Sequence, residues 1–245
     1  MASPQTLCYK YEMMEGIRAV LFDWMDTIGC PERERHDIHA QVLSEFGIKV
    51  SPEELIRPIY VAETQVSQGT PYRWDESKDP DPFLHYEEIV LSEIGVTLPR
   101  EIVFEILKQV SPITKKMGFV LYADVLPTME MLKERNLILG IITSMKKEID
   151  LISRQLGLEP YLDFIVTASE VKAPKPEPPL FLAALERARV TAPEAVYVGD
   201  QYATDIVGAR RVGINPVLID RYDLFPEMRD CWRIRRLNEL ANIIS

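Results

Sequence analysis

The sequence is poor in cysteine: Cys8, Cys30 and Cys231 are its three, odd in number and far apart. That spacing excludes a disulfide framework and offers no close pair for a zinc site, so reduced thiols are expected. Histidine is equally scarce, with His36, His39 and His85 alone. Cations are in deficit, 28 Lys and Arg against 38 Asp and Glu for a net charge of −10. Nucleic-acid backbone binding needs clustered positive charge, so that class of partner is excluded. A small phosphorylated molecule remains admissible, because a few local cations and a metal can hold one phosphoryl group whatever the global charge. No apolar run approaches the ~20 residues of a membrane-spanning helix, so no membrane partner is expected. The first residues, MASPQTLCYKYEMMEG, lack a basic segment followed by an apolar core and do not read as a signal peptide. A cytoplasmic location is the default expectation, and the oligomeric state is not legible.

What is present is an ordinary globular composition, 47% hydrophobic and 27% charged over 245 residues, enough for one large domain or a core with an insertion. Residues 1–13 read as an N-terminal extension, with Met13 or Met14 as an alternative start. Residues 17–22 (Ile-Arg-Ala-Val-Leu-Phe) form a β-leaning apolar run of the kind a strand buried on both faces requires, and it ends abruptly at Asp23. Similar runs recur at 137–143, 164–167, 195–198 and 216–219, with helical patterns at 126–135, 147–156, 179–188 and 204–212 between them. Strand and helix alternating over short connections predicts an α/β fold, a doubly wound parallel sheet of Rossmann-like type whose ligands bind beyond the carboxyl ends of the strands.

The segment 30–121 breaks this alternation and predicts helices at 36–46, 52–67, 82–94 and 100–110, with Ser51 or Asp81 before a proline as start signals and Gly47, Gly69 and Gly95 as stops. The expected organisation is therefore an α/β core of residues 14–29 and 122–245 with an inserted helical module, 30–121. Within that module TPYRWDESKDPDP is polar and proline-rich, with Tyr72, Arg73 and Trp74 embedded; a loop over a site and a solvated loop anchored by its tryptophan are both open readings.

Four segments fall at the carboxyl ends of successive predicted strands: Asp23-Trp24-Met25-Asp26-Thr27, Thr143-Ser144, Lys175-Pro176, and Gly199-Asp200 with Asp205. Acidic groups, a hydroxyl and a lysine converging on one sheet edge suit metal-assisted group transfer with a covalent carboxylate intermediate. In order, spacing and context these segments resemble the four motifs of the haloacid dehalogenase superfamily, and the Ala-Pro-Lys-Pro-Glu and Gly-Asp…Thr-Asp-Ile-Val-Gly-Ala-Arg runs are similar to family patterns beyond the reactive residues. The inserted module resembles the cap many members carry after the first motif.

The resemblance implies a magnesium-dependent hydrolase acting on a small phosphorylated metabolite through an aspartyl-phosphate at Asp23. It implies that Thr143 and the Ser144 N–H bind phosphoryl oxygens and that Lys175 offsets the charge between nucleophile and substrate. It also implies that Asp23, the Met25 backbone carbonyl and Asp200 hold Mg²⁺, with Asp205 in its outer sphere. One position departs from the pattern. The family's phosphatases carry a second Asp two residues after the nucleophile as general acid and base; here that residue is Met25, whose thioether carries no proton. A substrate with a good leaving group, such as an acyl phosphate, or a proton from His36, His39 or His85 would answer this. So would different chemistry: a phosphonoacetaldehyde-hydrolase-like enzyme with a cap lysine, Lys49 and Lys78 being candidates by location, or a 2-haloacid dehalogenase. A non-catalytic relative that binds a phosphorylated ligand or a partner protein is the reading from another class.

Overall fold

The computed structural model describes residues 13–66, 74, 77–145 and 148–245. The first strand, β1 (Ala19–Phe22), is buried along its whole length, as its unbroken aliphatic run requires. The chain then passes through β2 (Gly29–Pro31) into α1 (Arg35–Glu45), α2 (Pro52–Gln65), α3 (Asp81–Glu93) and α4 (Arg100–Lys116), and returns through β3 (Phe119–Leu121). Thereafter α5 (Val125–Glu134), β4 (Ile138–Thr143), α6 (Glu148–Gln155), β5 (Phe164–Thr167), α7 (Ala168–Val171), α8 (Pro178–Ala188) and β6 (Ala195–Gly199) follow. A π-helical turn at Tyr202–Ile206 leads into α9 (Val207–Arg211), then β7 (Asn215–Ile219) and β8 (Trp232–Ile234).

Six strands pair in the order β5-β4-β1-β6-β7-β8, every pairing parallel. The chain builds outward from β1 through β4 to β5, then returns to the other side of β1 with β6. That reversal between β1 and β6 is the switch point at which such sheets leave a crevice beyond the strand ends. One face packs Leu21, Ile142, Val166 and Tyr197 against Leu180, Phe181 and Ala184 of α8. Each large apolar side chain buried this way contributes on the order of 1.5–3 kcal/mol. The doubly wound α/β expectation is met. β2, β3 and β8, three residues each, lie outside the predicted strands because runs so short carry no periodicity.

The chain divides into two compact units, one of the described residues up to Gly29 with Leu121–Ser245, the other Cys30–Val120. The second unit is α1 to α4 around a core of Ile38, Val42, Leu55, Ile59, Leu84, Ile106 and Leu107. Ser51 starts α2 with a reciprocal cap: its hydroxyl accepts the Glu54 N–H at 3.4 Å and the Glu54 carboxylate accepts the Ser51 N–H at 2.8 Å. Gly47 and Gly95, with φ of +79° and +75°, follow the ends of α1 and α3 in the left-handed region where glycine is least strained. Two expectations need correction. Asp81 lies inside α3, whose cap position is Pro80, and α4 runs past residue 110 and through Pro112 to Lys116 because Ile113 and Met117 still pack on the core. Gly69, Tyr72 and Arg73 lie outside the described residues, as does most of residues 1–13. Trp74 is an anchor: it is buried, its indole donates to the Lys78 carbonyl at 3.2 Å, and its ring meets Phe104 edge-on at 5.4 Å. Among the described residues no helix is long and apolar enough to cross a membrane.

Candidate active site

β1 delivers Asp23 as its last rung: the Asp23 N–H donates to the Val198 carbonyl at 2.8 Å, prolonging the β1–β6 ladder by one bond. The chain then turns at once. The Trp24 carbonyl accepts the N–H groups of Ile28 and Gly29 at 3.1 and 2.9 Å, and Asp26 takes a left-handed conformation with φ of +57°. Trp24 is fully buried beneath this turn, so closely that a Cβ on Gly29 would lie 2.7 Å from its indole.

Asp23 itself is buried, and its Oδ1 accepts from Lys175 Nζ at 2.5 Å. Lys175, on the loop between α7 and α8, also donates to Asp205 Oδ1 at 2.7 Å and to the Tyr197 hydroxyl at 3.2 Å. Asp205 lies in the π-helical turn after β6, fully buried; its Oδ2 accepts the Gln201 N–H at 3.0 Å. Its approach depends on Gly199, where a Cβ would stand 2.4 Å from the Asp205 carboxyl carbon. Asp200, at the end of β6, accepts from Thr27 Oγ1 at 3.3 Å. Carboxylate oxygens of Asp23, Asp200 and Asp205 all lie within 4.8 Å of one another.

Three acids and one cation so close leave an excess of negative charge. Burial pushes the Asp23 carboxyl up to about 7; Lys175 opposes the rise and Asp205 adds to it. Burial, then Asp205, Asp26 and Asp23, raise Asp200 well above the usual carboxylate range. For Lys175 burial works against the charged form, but Asp205 and Asp23 outweigh it and the ammonium is retained. An all-oxygen donor set with surplus negative charge in a confined space is what a hard divalent cation such as Mg²⁺ requires, so these residues fit that ion.

The structure thus brings together Asp23, Lys175, Asp200 and Asp205. Thr143 closes β4, next to β1 in the sheet, and its buried hydroxyl accepts the Met145 N–H at 3.1 Å, which leaves its own hydrogen available; Ser144, beyond it, is exposed. Met25 is half-buried and bridged to Gly29. The histidines and lysines considered as proton carriers or Schiff-base candidates all belong to the helical unit. His39 is buried and tied to the Arg35 carbonyl and Glu87, His85 is exposed, and Lys49 and Lys78 are exposed.

Two residues of the cluster and its support escaped the sequence. Tyr197 hides in an aliphatic strand, with a polar tip two residues before Gly199-Asp200 as its signal. Arg221, just past β7, forms a bidentate pair with Asp124 at 3.1 and 3.2 Å and donates to the Thr27 carbonyl at 2.6 Å, bracing the turn whose Thr27 hydroxyl meets Asp200. Its guanidinium lies over the Tyr122 ring at 3.7 Å.

A profile of haloacid dehalogenase-like hydrolases matches residues 21–219, spanning both units. The chain belongs to this family. It is 30% identical over 247 aligned residues to the glyceraldehyde 3-phosphate phosphatase of Methanopyrus kandleri, covering 93% of this chain and 97% of that protein. A ribulose-1,5-bisphosphate 5-phosphatase from Halopiger xanaduensis shares 38% identity over 101 residues, 41% of this chain and 42% of its own length. Among solved structures, a haloacid dehalogenase-type phosphatase from Thermococcus onnurineus superposes with a TM-score of 0.56 at 29% identity, over 93% of this chain and 97% of that one.

Proposed function

We propose that this family member is a magnesium-dependent phosphatase of a small phosphorylated metabolite, working through an aspartyl-phosphate at Asp23. The observation that carries this is the buried Asp23 carboxylate against Lys175 at 2.5 Å, with Asp200 and Asp205 alongside, at the carboxyl end of the first core strand. Full-length similarity to a phosphatase supports the substrate class, and phosphorylated small sugars of the kind named in the two relatives are the first compounds to try.

In this reading an Asp23 oxygen attacks phosphorus in line, its bond to phosphorus forming as the bond to the leaving oxygen breaks; water then attacks the acyl phosphate, releasing phosphate and restoring the carboxylate. Dividing the reaction this way replaces one hard displacement with two easier ones. Lys175 damps the repulsion between the anionic nucleophile and the anionic substrate, in a buried setting where a positive charge acts strongly. Thr143, with its hydroxyl hydrogen available, and the Ser144 N–H receive phosphoryl oxygens. Asp23, the Met25 carbonyl and Asp200 would hold Mg²⁺, with Asp205 behind them; the ion would neutralise phosphoryl charge as it develops. The helical unit Cys30–Val120 corresponds to the inserted cap module that the family resemblance implies.

Met25 gives the leaving group no proton, so turnover should rise as the leaving-group pKa falls, acyl phosphates ahead of sugar phosphates. The test is a panel of phosphate esters, sugar phosphates and acyl phosphates with and without Mg²⁺, with trapping of the acyl phosphate. Activity that needs Mg²⁺ and vanishes in Asp23→Asn is expected; inactivity across the panel, with no trapped intermediate, refutes the reading.

A further inference from the structure

Tyr197 is the one polar-tipped side chain in β6, whose sequence Ala-Val-Tyr-Val-Gly is buried throughout. Its ring sits among apolar neighbours and meets Phe181 edge-on, centroids 5.2 Å apart at 77°. A phenylalanine would make every one of those carbon contacts. What distinguishes tyrosine is its hydroxyl, which donates to Asp205 Oδ1 at 3.0 Å and accepts from Lys175 Nζ at 3.2 Å.

An ammonium has three hydrogens, and Lys175 has three acceptors around it: Asp23 Oδ1, Asp205 Oδ1 and the Tyr197 oxygen. The two carboxylates compete for one cation in a buried space, and the hydroxyl intervenes in that competition from both sides. Its hydrogen meets part of the demand of Asp205, and its lone pair fixes the third N–H of the lysine. Both effects hold Nζ against Asp23 rather than letting it settle wholly on Asp205. We infer that Tyr197 is a positioning residue, whose hydroxyl sets the place of Lys175 between Asp23 and Asp205 and so keeps the nucleophile paired with its cation. The inference rests on the phosphatase reading above.

The test is Tyr197→Phe in the full-length protein, alone and combined with Lys175→Met, with phosphate release measured on the best substrate of the panel. The single variant is expected to lose ten- to a hundredfold in kcat with KM changed less than threefold, because the hydroxyl lies behind the lysine rather than against substrate. In the Lys175→Met background the same substitution should cost less than threefold, since the group it positions is gone. Equal losses in both backgrounds would assign the hydroxyl a structural role and overturn the inference, as would a kcat for Tyr197→Phe within twofold of wild type. A Tyr197→Phe protein that fails to fold by circular dichroism would likewise show the hydroxyl to serve stability. These outcomes leave the phosphatase reading intact; an inactive wild-type protein would remove that reading and the inference with it.

Discussion

Asp23 and Met25, two residues apart, define what is usual and unusual in this chain. In the proposed reading Asp23 is the nucleophile and has a cation and companion acids beside it, while Met25 stands where the family resemblance implies a proton-carrying Asp. Met25→Asp is expected to raise turnover of poor-leaving-group esters by about 10²-fold or more, the range of a general acid, while changing acyl phosphates little. Equal gains on both substrate types, measured as kcat, would contradict a leaving-group role for this position. Gly199 offers a second test at this scale. A methyl there would stand 2.4 Å from the Asp205 carboxyl carbon, so Gly199→Ala must displace Asp205 or the strand end. Weaker Mg²⁺ binding by calorimetry, by tenfold or more, is expected; unchanged binding would show that Asp205 has no bearing on the ion. Asp23 and Asp200 were legible because each falls where an apolar run stops; Lys175, on the loop between α7 and α8, and Asp205, in the turn after β6, were legible from the resemblance of their segments to family motifs. Tyr197 and Arg221 were not, because what matters in Tyr197 is one atom at the end of an otherwise apolar ring, and what matters in Arg221 is its set of partners, Thr27, Tyr122 and Asp124, from two distant stretches of chain.

At the level of elements, the helical unit holds charge in its interior. Arg35 of α1 and Glu63 of α2 pair at 2.9 Å, both nearly inaccessible, and His39 of α1 meets Glu87 of α3 at 3.2 Å. Removing one partner of a buried pair costs about 3–5 kcal/mol, whereas replacing both with apolar residues can be nearly neutral. Glu63→Leu should therefore lower the melting temperature far more than the Arg35→Met, Glu63→Leu double variant, and the reverse order would refute a mutually compensating pair. Burial alone would depress the His39 pKa, but the Glu87 carboxylate outweighs it and holds the folded-state value above the ordinary 6.5. Because that value is raised, the pair's stabilisation is complete below pH 6.5 and is lost as pH rises through the folded-state value. Melting curves should shift downward across that interval in the wild type and lose this component in Glu87→Gln; an identical pH dependence in both would discount the pair. These pairings lay outside sequence reasoning, since they join residues 28 and 48 positions apart. The helices themselves were readable from apolar spacing, Ser51, Gly47 and Gly95, but the cap of α3 fell at Pro80 rather than Asp81 and α4 ran on, its apolar face outrunning Pro112.

For the whole molecule, the order of elements was readable because each buried strand of a parallel sheet must be a continuous apolar run and each crossover a helix. The edge strand β8 and the short pair β2 and β3 were not, since three residues half-exposed or at a chain reversal leave no pattern. The fold places the ends of β1 and β6 side by side at the switch point, and this is why acids 177 residues apart, Asp23 and Asp200, share one cluster. In the proposed function this cluster binds Mg²⁺ and Asp23 takes phosphate from a small metabolite. The most direct measurement is phosphate release from the substrate panel with and without Mg²⁺, paired with mass-spectrometric search for a phosphorylated Asp23. Release that depends on Mg²⁺, a phosphoryl adduct on Asp23, and loss of both in Asp23→Asn are expected; phosphate release that persists in Asp23→Asn, or that proceeds equally without the metal, would refute the proposed function.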